Sequence, residues 1–273
     1  DDVRIEYQFV VDGKWILDPK NPVRSANGFG GFNSSYTGPQ YTEHVPDTIP
    51  ETPMRRLALR VGGHAESRAV ALFVPEGVKG RIPVLIYADG KEYEKFVQPQ
   101  HIIQNLIDAK KIPPVAVALV PPKDRMQEYW KDSTDYEDYV VHNVLPALRE
   151  QAPISMSASD VYVGGASLGG LISMRLAEHY PAHVAGGVHS QSGAFWASPG
   201  VFAKSALLRL SPDIKIFIDW GRYEGVLTVS NDRMADALRR LFKPHGTLVT
   251  GEGHNWTAWR SRFATGLEYL LGQ

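Results

Sequence analysis

Residues 161–177 read VYVGGASLGGLISMRLA. A β-branched, apolar start runs through Gly164 and Gly165 to Ser167, and a stretch with helical spacing follows. Gly165-Ala166-Ser167-Leu168-Gly169 is a G-x-S-x-G pattern set between an expected strand and an expected helix. That setting separates it from a glycine-rich turn that merely packs a helix on a sheet. The turn must be tight enough to strain the serine backbone, and side chains beside it would clash, so glycines flank it. Such a turn lifts the Ser167 hydroxyl above the carboxyl ends of the strands. The N–H of Leu168 then opens a helix, where the dipole favours negative charge and an oxyanion can be held.

Around this turn, strands and helices alternate. IPVLIYADG (82–90) and PPVAVALVPP (113–122) are unbroken apolar runs, as expected of strands buried on both faces. VAGGVHSQSG (184–193), KIFIDWGRYE (215–224) and GTLVTGEG (246–253) read as further strands. Helical spacing appears in 99–112, 134–151, 230–243 and 256–271. MRRLALRV (54–61) and RAVALFVPEG (68–77) read as an antiparallel pair at the sheet edge. The pattern predicts a mostly parallel sheet with helices on both faces over residues 51–273, and the G-x-S-x-G turn within it makes an α/β-hydrolase fold the expectation. Residues 1–50 differ. IEYQFVVDGKWILDP (5–19) predicts two strands joined at Asp12-Gly13, and residues 20–41, rich in Gly, Asn, Ser and Pro, read as linker. A lone hairpin is barely stable in water, so the segment either packs on the main domain or is the remnant of a larger β-module.

A serine hydroxyl needs a base and an orienting acid, and this fold supplies them in the order serine, acid, histidine. His254, in GEGHNW between the last strand and the last helix, is the expected base. His183 and His245 follow helices near prolines and read as surface turns, and His189 ends a strand. The acid should follow the strand at 215–221. Glu224 lies in the loop just past it and is preferred over Asp219, within the strand, and Asp232, at the next helix. A solvated carboxylate paired with Arg222 is the bland alternative for Glu224. A second oxyanion donor should come from the loop after an early strand. In LIYADGKEY (85–93), Gly90 would let the chain turn and the Lys91 N–H would face the site. The segment reads equally as an ordinary Asp-Gly turn.

GGASLGGLISMRLAEHYP (164–181) together with GEGHNWTAWR (251–260) resembles an esterase family of α/β-hydrolases that includes enterochelin esterases and feruloyl esterases. The resemblance covers about residues 54–273. DRMQEYW (124–130) matches a family segment in which Arg125, Glu128 and Tyr129 would brace the site or line its rim. His254, Trp259 and Arg260 match its Gly-His-x-x-x-x-Trp-Arg. Gly221-Arg222-Tyr223-Glu224 matches the Gly-x-x-Glu of the enterochelin esterase-like branch. The first fifty residues resemble the end of an immunoglobulin-like or starch-binding-like module. There Trp15 reads as a packing aromatic rather than a ligand platform.

The resemblance implies a serine carboxylic-ester hydrolase acting through an acyl-enzyme, with no metal or organic cofactor. A feruloyl or acetyl-xylan esterase, and a non-catalytic sugar-binding protein on an esterase scaffold, are the other readings. The substrate would be a small-molecule or saccharide ester. Trp196, Trp220, Trp256 and Trp259 fall near strand ends or site loops, where some would form an aromatic rim and at least half would be core. Composition narrows the classes. There are 29 Lys+Arg against 30 Asp+Glu, with no basic stripe to hold nucleic acid. Cys is absent, which removes disulfides and thiol nucleophiles. No apolar run is long enough for a membrane span. Asn33 and Asn255 lie in glycosylation-type triplets. The chain starts at Asp1-Asp2 with no signal peptide, and if it is a mature form a secreted or periplasmic compartment is expected.

Overall fold

The structure is a computed structural model that describes residues 2–42, 55–61, 64–241 and 243–272. The expected division between residues 50 and 51 lies outside the described residues. The strands are β1 (Arg4–Tyr7), β2 (Phe9–Val11), β3 (Lys14–Ile16), β4 (Arg24–Ala26), β5 (Phe32–Thr37), β6 (Arg55–Val61), β7 (His64–Phe73), β8 (Val84–Tyr87), β9 (Ala116–Leu119), β10 (Val161–Ala166), β11 (Gly187–Gln191), β12 (Lys215–Gly221) and β13 (His245–Thr250). The helices are α1 (Gly90–Glu92), α2 (Pro99–Asp108), α3 (Thr134–Tyr139), α4 (Leu145–Gln151), α5 (Leu168–His179), α6 (Lys204–Leu207), α7 (Val226–Arg240) and α8 (Trp256–Leu271).

The main sheet has eight strands in the order β13-β12-β11-β10-β8-β9-β7-β6. β8 to β13 pair in parallel, while β7 runs antiparallel to both β6 and β9 at the edge. Period-two alternation splits the core between the two faces. Ile216, Ile218 and Trp220 of β12 join Val188 of β11 on the face covered by α5 and α7. Phe217 faces the other way, with Phe263, Leu267 and Leu270 of α8 and Ile102 and Ile103 of α2. Both faces are therefore apolar, which explains the unbroken runs at 84–87 and 116–119.

The N-terminal segment departs from its sequence reading. The turn at Asp12-Gly13 is as expected, with φ of 50° and 75° and with Val11 opposite Lys14. However, the apolar run before it breaks at Gln8, and β1 joins a different sheet from β2. The stretch read as linker holds β4 and β5, which with β1 form a three-stranded sheet in the order β1-β5-β4. Its Ser and Asn residues are structural. Asn21 Nδ2 donates to the Ser35 carbonyl at 2.8 Å, and Ser34 Oγ accepts from the Asp18 N–H at 2.9 Å. Trp15 does not pack in a core, because it is 71% exposed on the hairpin.

This module is docked on the main domain. Arg4 N–H donates to the Gly251 carbonyl at 2.9 Å, and Tyr41 hydroxyl donates to Glu252 Oε1. No helix of the described residues is long and apolar enough to cross a membrane.

Candidate active site

The serine turn has the strain that its sequence implies. Ser167 takes φ 59° and ψ −120°, in the region that non-glycine residues rarely enter. Gly165 and Gly169 press together across the turn. A Cβ on Gly165 would lie 2.5 Å from the Gly169 carbonyl carbon. The Ser167 N–H donates to the Gln191 carbonyl of β11 at 2.8 Å, which ties the turn to the neighbouring strand. Leu168 opens α5, so its N–H belongs to the first-turn amides that have no partner within the helix.

Two loops bring partners to this serine. His254 Nε2 lies 3.0 Å from Ser167 Oγ, and His254 Nδ1 lies 3.0 Å from Glu224 Oε2. Glu224 is the carboxylate that meets the histidine, rather than Asp219 or Asp232. Its other oxygen, Oε1, accepts from the Gly221 N–H at 2.6 Å and from the Ser192 hydroxyl at 2.8 Å. A carboxylate only accepts, so Nδ1 carries the imidazole proton and Nε2 is left to accept from the serine.

Ser192 was not foreseen. Its Oγ accepts from Trp259 Nε1 and from Arg262 Nη2, both at 3.0 Å. Those groups can only donate, so the one Ser192 proton must point at Glu224. Trp259 also packs edge-on against His254, with ring centroids 4.8 Å apart. Asn255 caps α8, its Oδ1 accepting from the Ala258 N–H at 2.9 Å, and fixes the helix that carries both Trp259 and Arg262.

Asp219 serves a second cluster beneath the site. Its Oδ1 accepts from Arg262 Nε at 2.6 Å, and its Oδ2 lies 2.9 Å from His189 Nε2. Tyr87 hydroxyl closes the line at 2.6 Å from His189 Nδ1. Arg262, Asp219 and His189 are completely buried. Burial alone would weaken the Arg262 proton, but the charges of Asp219, Glu252 and Glu224 outweigh that and raise its pKa. Asp232 lies apart, in a groove between α7 and the segment around Phe202. His183 packs edge-on with His142 and Tyr180, and His245 opens β13 with its Nδ1 2.8 Å from the Lys243 carbonyl.

The expected second oxyanion loop needs a correction. Asp89, not Gly90, takes the left-handed turn, with φ 54°. Gly90 is glycine because the chain passes against β9, where a Cβ would lie 2.5 Å from the Leu119 carbonyl carbon. Its N–H is taken by the Val120 carbonyl at 3.2 Å. Lys91 follows in the first turn of α1, and its side chain is exposed. The buried Asp89 carboxylate is gripped by Arg125, Nε to Oδ1 and Nη2 to Oδ2, each at 2.8 Å. Burial works against the Arg125 charge, and Asp89 reverses that and raises its pKa. The Asp89 N–H donates to the Tyr129 hydroxyl at 3.0 Å. Glu128 braces from further out, accepting from Arg68 Nη1 at 3.1 Å and from the Lys123 N–H at 2.9 Å.

Ser167 and His254 open into a cleft of about 240 Å³ lined by Asp89, Glu92, Arg125, Trp256 and Trp259, and also by Asn27, Gly28 and Phe29 of the N-terminal module. Burial raises the pKa of Glu92. Of the four tryptophans read as divided between rim and core, Trp256 and Trp259 line the cleft. Trp220 is core at 3% exposure, and Trp196 packs on Trp130. Arg262, two residues beyond Arg260 of the expected motif, stands near the acid, with Nη2 3.7 Å from Glu224 Oε1. Among the described residues, no group of three or more His, Asp or Glu could hold a metal ion.

A parallel sheet with helices on both faces, and a serine on a strained turn between β10 and α5, define an α/β-hydrolase. The chain belongs to the family described as "Putative esterase", whose model matches residues 64–270. Its fold is similar to that of an enterochelin esterase from Shigella flexneri, at 24% identity and a TM-score of 0.78, covering 94% of this chain and 68% of that one. It is also similar to the ferric enterobactin esterase of Salmonella typhimurium, at 23% identity, a TM-score of 0.78 and the same coverages. A ferulic acid esterase matches at 15% identity and a TM-score of 0.63, covering 80% of this chain and 96% of that one. No curated protein sequence matched the chain.

Proposed function

We propose that the protein is a serine carboxylic-ester hydrolase working through an acyl-enzyme, with Ser167 as nucleophile, His254 as base and Glu224 as the orienting acid. The observation that carries the reading is the unbroken line Ser167 Oγ–His254 Nε2–His254 Nδ1–Glu224 Oε2, with contacts of 3.0 Å at each end. Ser167 attacks the ester carbonyl as its proton passes to Nε2. Glu224, held by Gly221 and Ser192, stabilises the imidazolium that forms. The Leu168 N–H, and in this proposal the Lys91 N–H, face the developing oxyanion. The imidazolium then protonates the departing alcohol, and water repeats the sequence on the acyl-enzyme.

The enterochelin esterase-like branch is favoured over the feruloyl branch by the Gly-x-x-Glu loop. It is also favoured by a likeness that extends over the N-terminal module, 94% of this chain against 80%. A purely sugar-binding role is disfavoured, because such a role needs no aligned serine, histidine and carboxylate. The cleft, at about 240 Å³, suits one arm of an ester rather than a whole polymer, since pockets for whole drug-sized ligands run to roughly 300–1,000 Å³.

The test is hydrolysis of p-nitrophenyl acetate and butyrate beside a Ser167→Ala control, with fluorophosphonate labelling of both. Turnover and labelling that vanish together in the variant are expected. Near-normal turnover in Ser167→Ala would overturn the assignment.

A further inference from the structure

The N-terminal module reaches into the catalytic cleft through the loop 27–31, which joins β4 to β5. The loop is built to stay in place. Asn27 Oδ1 accepts from the Phe29 N–H at 2.9 Å and from the Gly31 N–H at 3.1 Å, and Asn27 N–H donates to the Gly31 carbonyl at 3.0 Å. Gly28 has φ +81° and lies on the edge of the Trp256 indole, where a Cβ would meet Nε1 at 2.5 Å. Trp256 is itself fixed, stacked on Phe96 at 5.5 Å and set edge-on to Tyr93 and Trp259. Arg4 ties the module to the histidine loop, with Nη2 donating to Ser25 Oγ at 2.7 Å and Nη1 reaching Asn255 Oδ1 at 3.5 Å.

At the tip of this rigid loop, Phe29 lines the cleft and is 95% exposed. A phenyl ring left almost wholly in water gives the fold nothing by burial, yet it stands where a ligand would cover it. The cleft lining is of two kinds, the aromatic Phe29, Trp256 and Trp259 and the charged Asp89, Glu92 and Arg125. A planar group with a flat apolar face and a polar edge matches both kinds of lining.

Resting on the esterase reading above, we propose that the loop 27–31 is a substrate-selecting lip, in which Phe29 stacks on an aromatic arm of the ester. The lip makes the β-module part of the specificity of the site rather than a mere appendage. An aromatic pair gains beyond simple area burial, so stacking on Phe29 should favour aryl over alkyl esters by roughly three- to tenfold.

The experiment compares kcat/KM on vinyl acetate, vinyl hexanoate, vinyl benzoate and phenyl acetate for wild type, Phe29→Ala and Phe29→Tyr. In Phe29→Ala the ratio of an aromatic ester to vinyl acetate should fall by roughly three- to tenfold, and Phe29→Tyr should restore it. Gly28→Ala, which pushes the loop off Trp256, should lower the same ratio. An unchanged ratio for both aromatic esters would overturn the proposal, as would an equal fall for vinyl hexanoate. Loss of all turnover in Ser167→Ala tests the esterase reading separately. The lip is also read without turnover, by titrating methyl benzoate and methyl hexanoate into Ser167→Ala and following tryptophan fluorescence. There Phe29→Ala should weaken methyl benzoate selectively, and equal affinities with and without Phe29 would sink it.

Discussion

Replacing Arg262 by methionine should be among the most damaging single substitutions in this chain. The guanidinium is wholly buried on α8 and is the shared cation of three acidic groups. It donates to Asp219 Oδ1 at 2.6 Å and to Glu252 Oε2 at 3.0 Å, and stands 3.7 Å from Glu224 Oε1. It also donates to Thr250 Oγ1 and Ser192 Oγ, both at 3.0 Å. Methionine fills much of the volume but leaves buried carboxylates with no counter-charge. Breaking one buried pair from one side costs about 3–5 kcal/mol, and here two direct pairs go together, so the upper figure applies. Against a total stability of roughly 5–15 kcal/mol, that lowers the melting temperature by about 10–20 °C. Differential scanning calorimetry measures it. Arg262→Lys keeps the charge but loses the planar fork that serves Asp219 and Glu252 at once, and it should fall between. Adding Asp219→Asn to Arg262→Met removes one of the stranded charges and should recover part of the loss, a coupling that a double-mutant cycle reads directly. A melting temperature for Arg262→Met within about 3 °C of wild type would refute the reasoning.

Two further outcomes follow from the same network and from a second buried carboxylate. Glu224→Gln should lower kcat by about 10³–10⁴-fold with little change in melting temperature. The amide oxygen must stay where Gly221 and Ser192 donate, so the amide N–H₂ faces His254 Nδ1 and forces the wrong tautomer; a loss under tenfold in steady-state kinetics would contradict this. Glu178→Gln should flatten the pH dependence of stability. Burial pushes the Glu178 carboxyl up from 4.5 to about 8, against the pull of Arg209 and Arg175. The folded chain thus keeps a proton that the unfolded chain has already released, and stability is lost as pH rises from about 4.5 through about 8. Melting curves of wild type and Glu178→Gln between pH 6 and 9 that stay parallel would count against it.

The parallel sheet was legible because its strands are apolar on both faces and its helices carry long periodic stretches. The N-terminal module was not, for a physical reason. β4 has only three residues, and Arg24-Ser25-Ala26 and Phe32–Thr37 are held by side-chain hydrogen bonds to loops rather than by a two-sided apolar core. Composition alone reads such a stretch as linker. Nor does any local pattern say that Phe29 stands at the mouth of a site whose serine and histidine, Ser167 and His254, lie far downstream in sequence. The docking of Arg4 and Tyr41 beside Gly251 and Glu252, together with Arg4 on Asn255 and Gly28 against Trp256, puts it there.

The candidate site divides along the same line. Ser167 and the positions of His254 and Glu224 follow from local chemistry, a strained turn and two loops at strand ends. The choice between Glu224 and Asp219 follows from strand alternation. Asp219 shares its face of β12 with Phe217, which packs under α8. In register across the sheet, Gln191 of β11 pairs with Asp219, and His189 pairs with Phe217. His189, Gln191 and Asp219 therefore project to one side, where Arg262 descends from α8 to meet them. A carboxylate on that face is committed to the arginine before it can serve a histidine near Ser167. Glu224 escapes because the chain leaves the strand at Gly221 and returns the carboxylate to the Gly221 N–H at 2.6 Å, above the strand ends rather than beneath them. The two carboxylate–histidine pairs have opposite jobs for that reason. Asp219 and His189 are locked in the core by Arg262 and Tyr87, whereas Glu224 is anchored through one oxygen and keeps the other for a histidine whose side chain is still 30% exposed to the cleft.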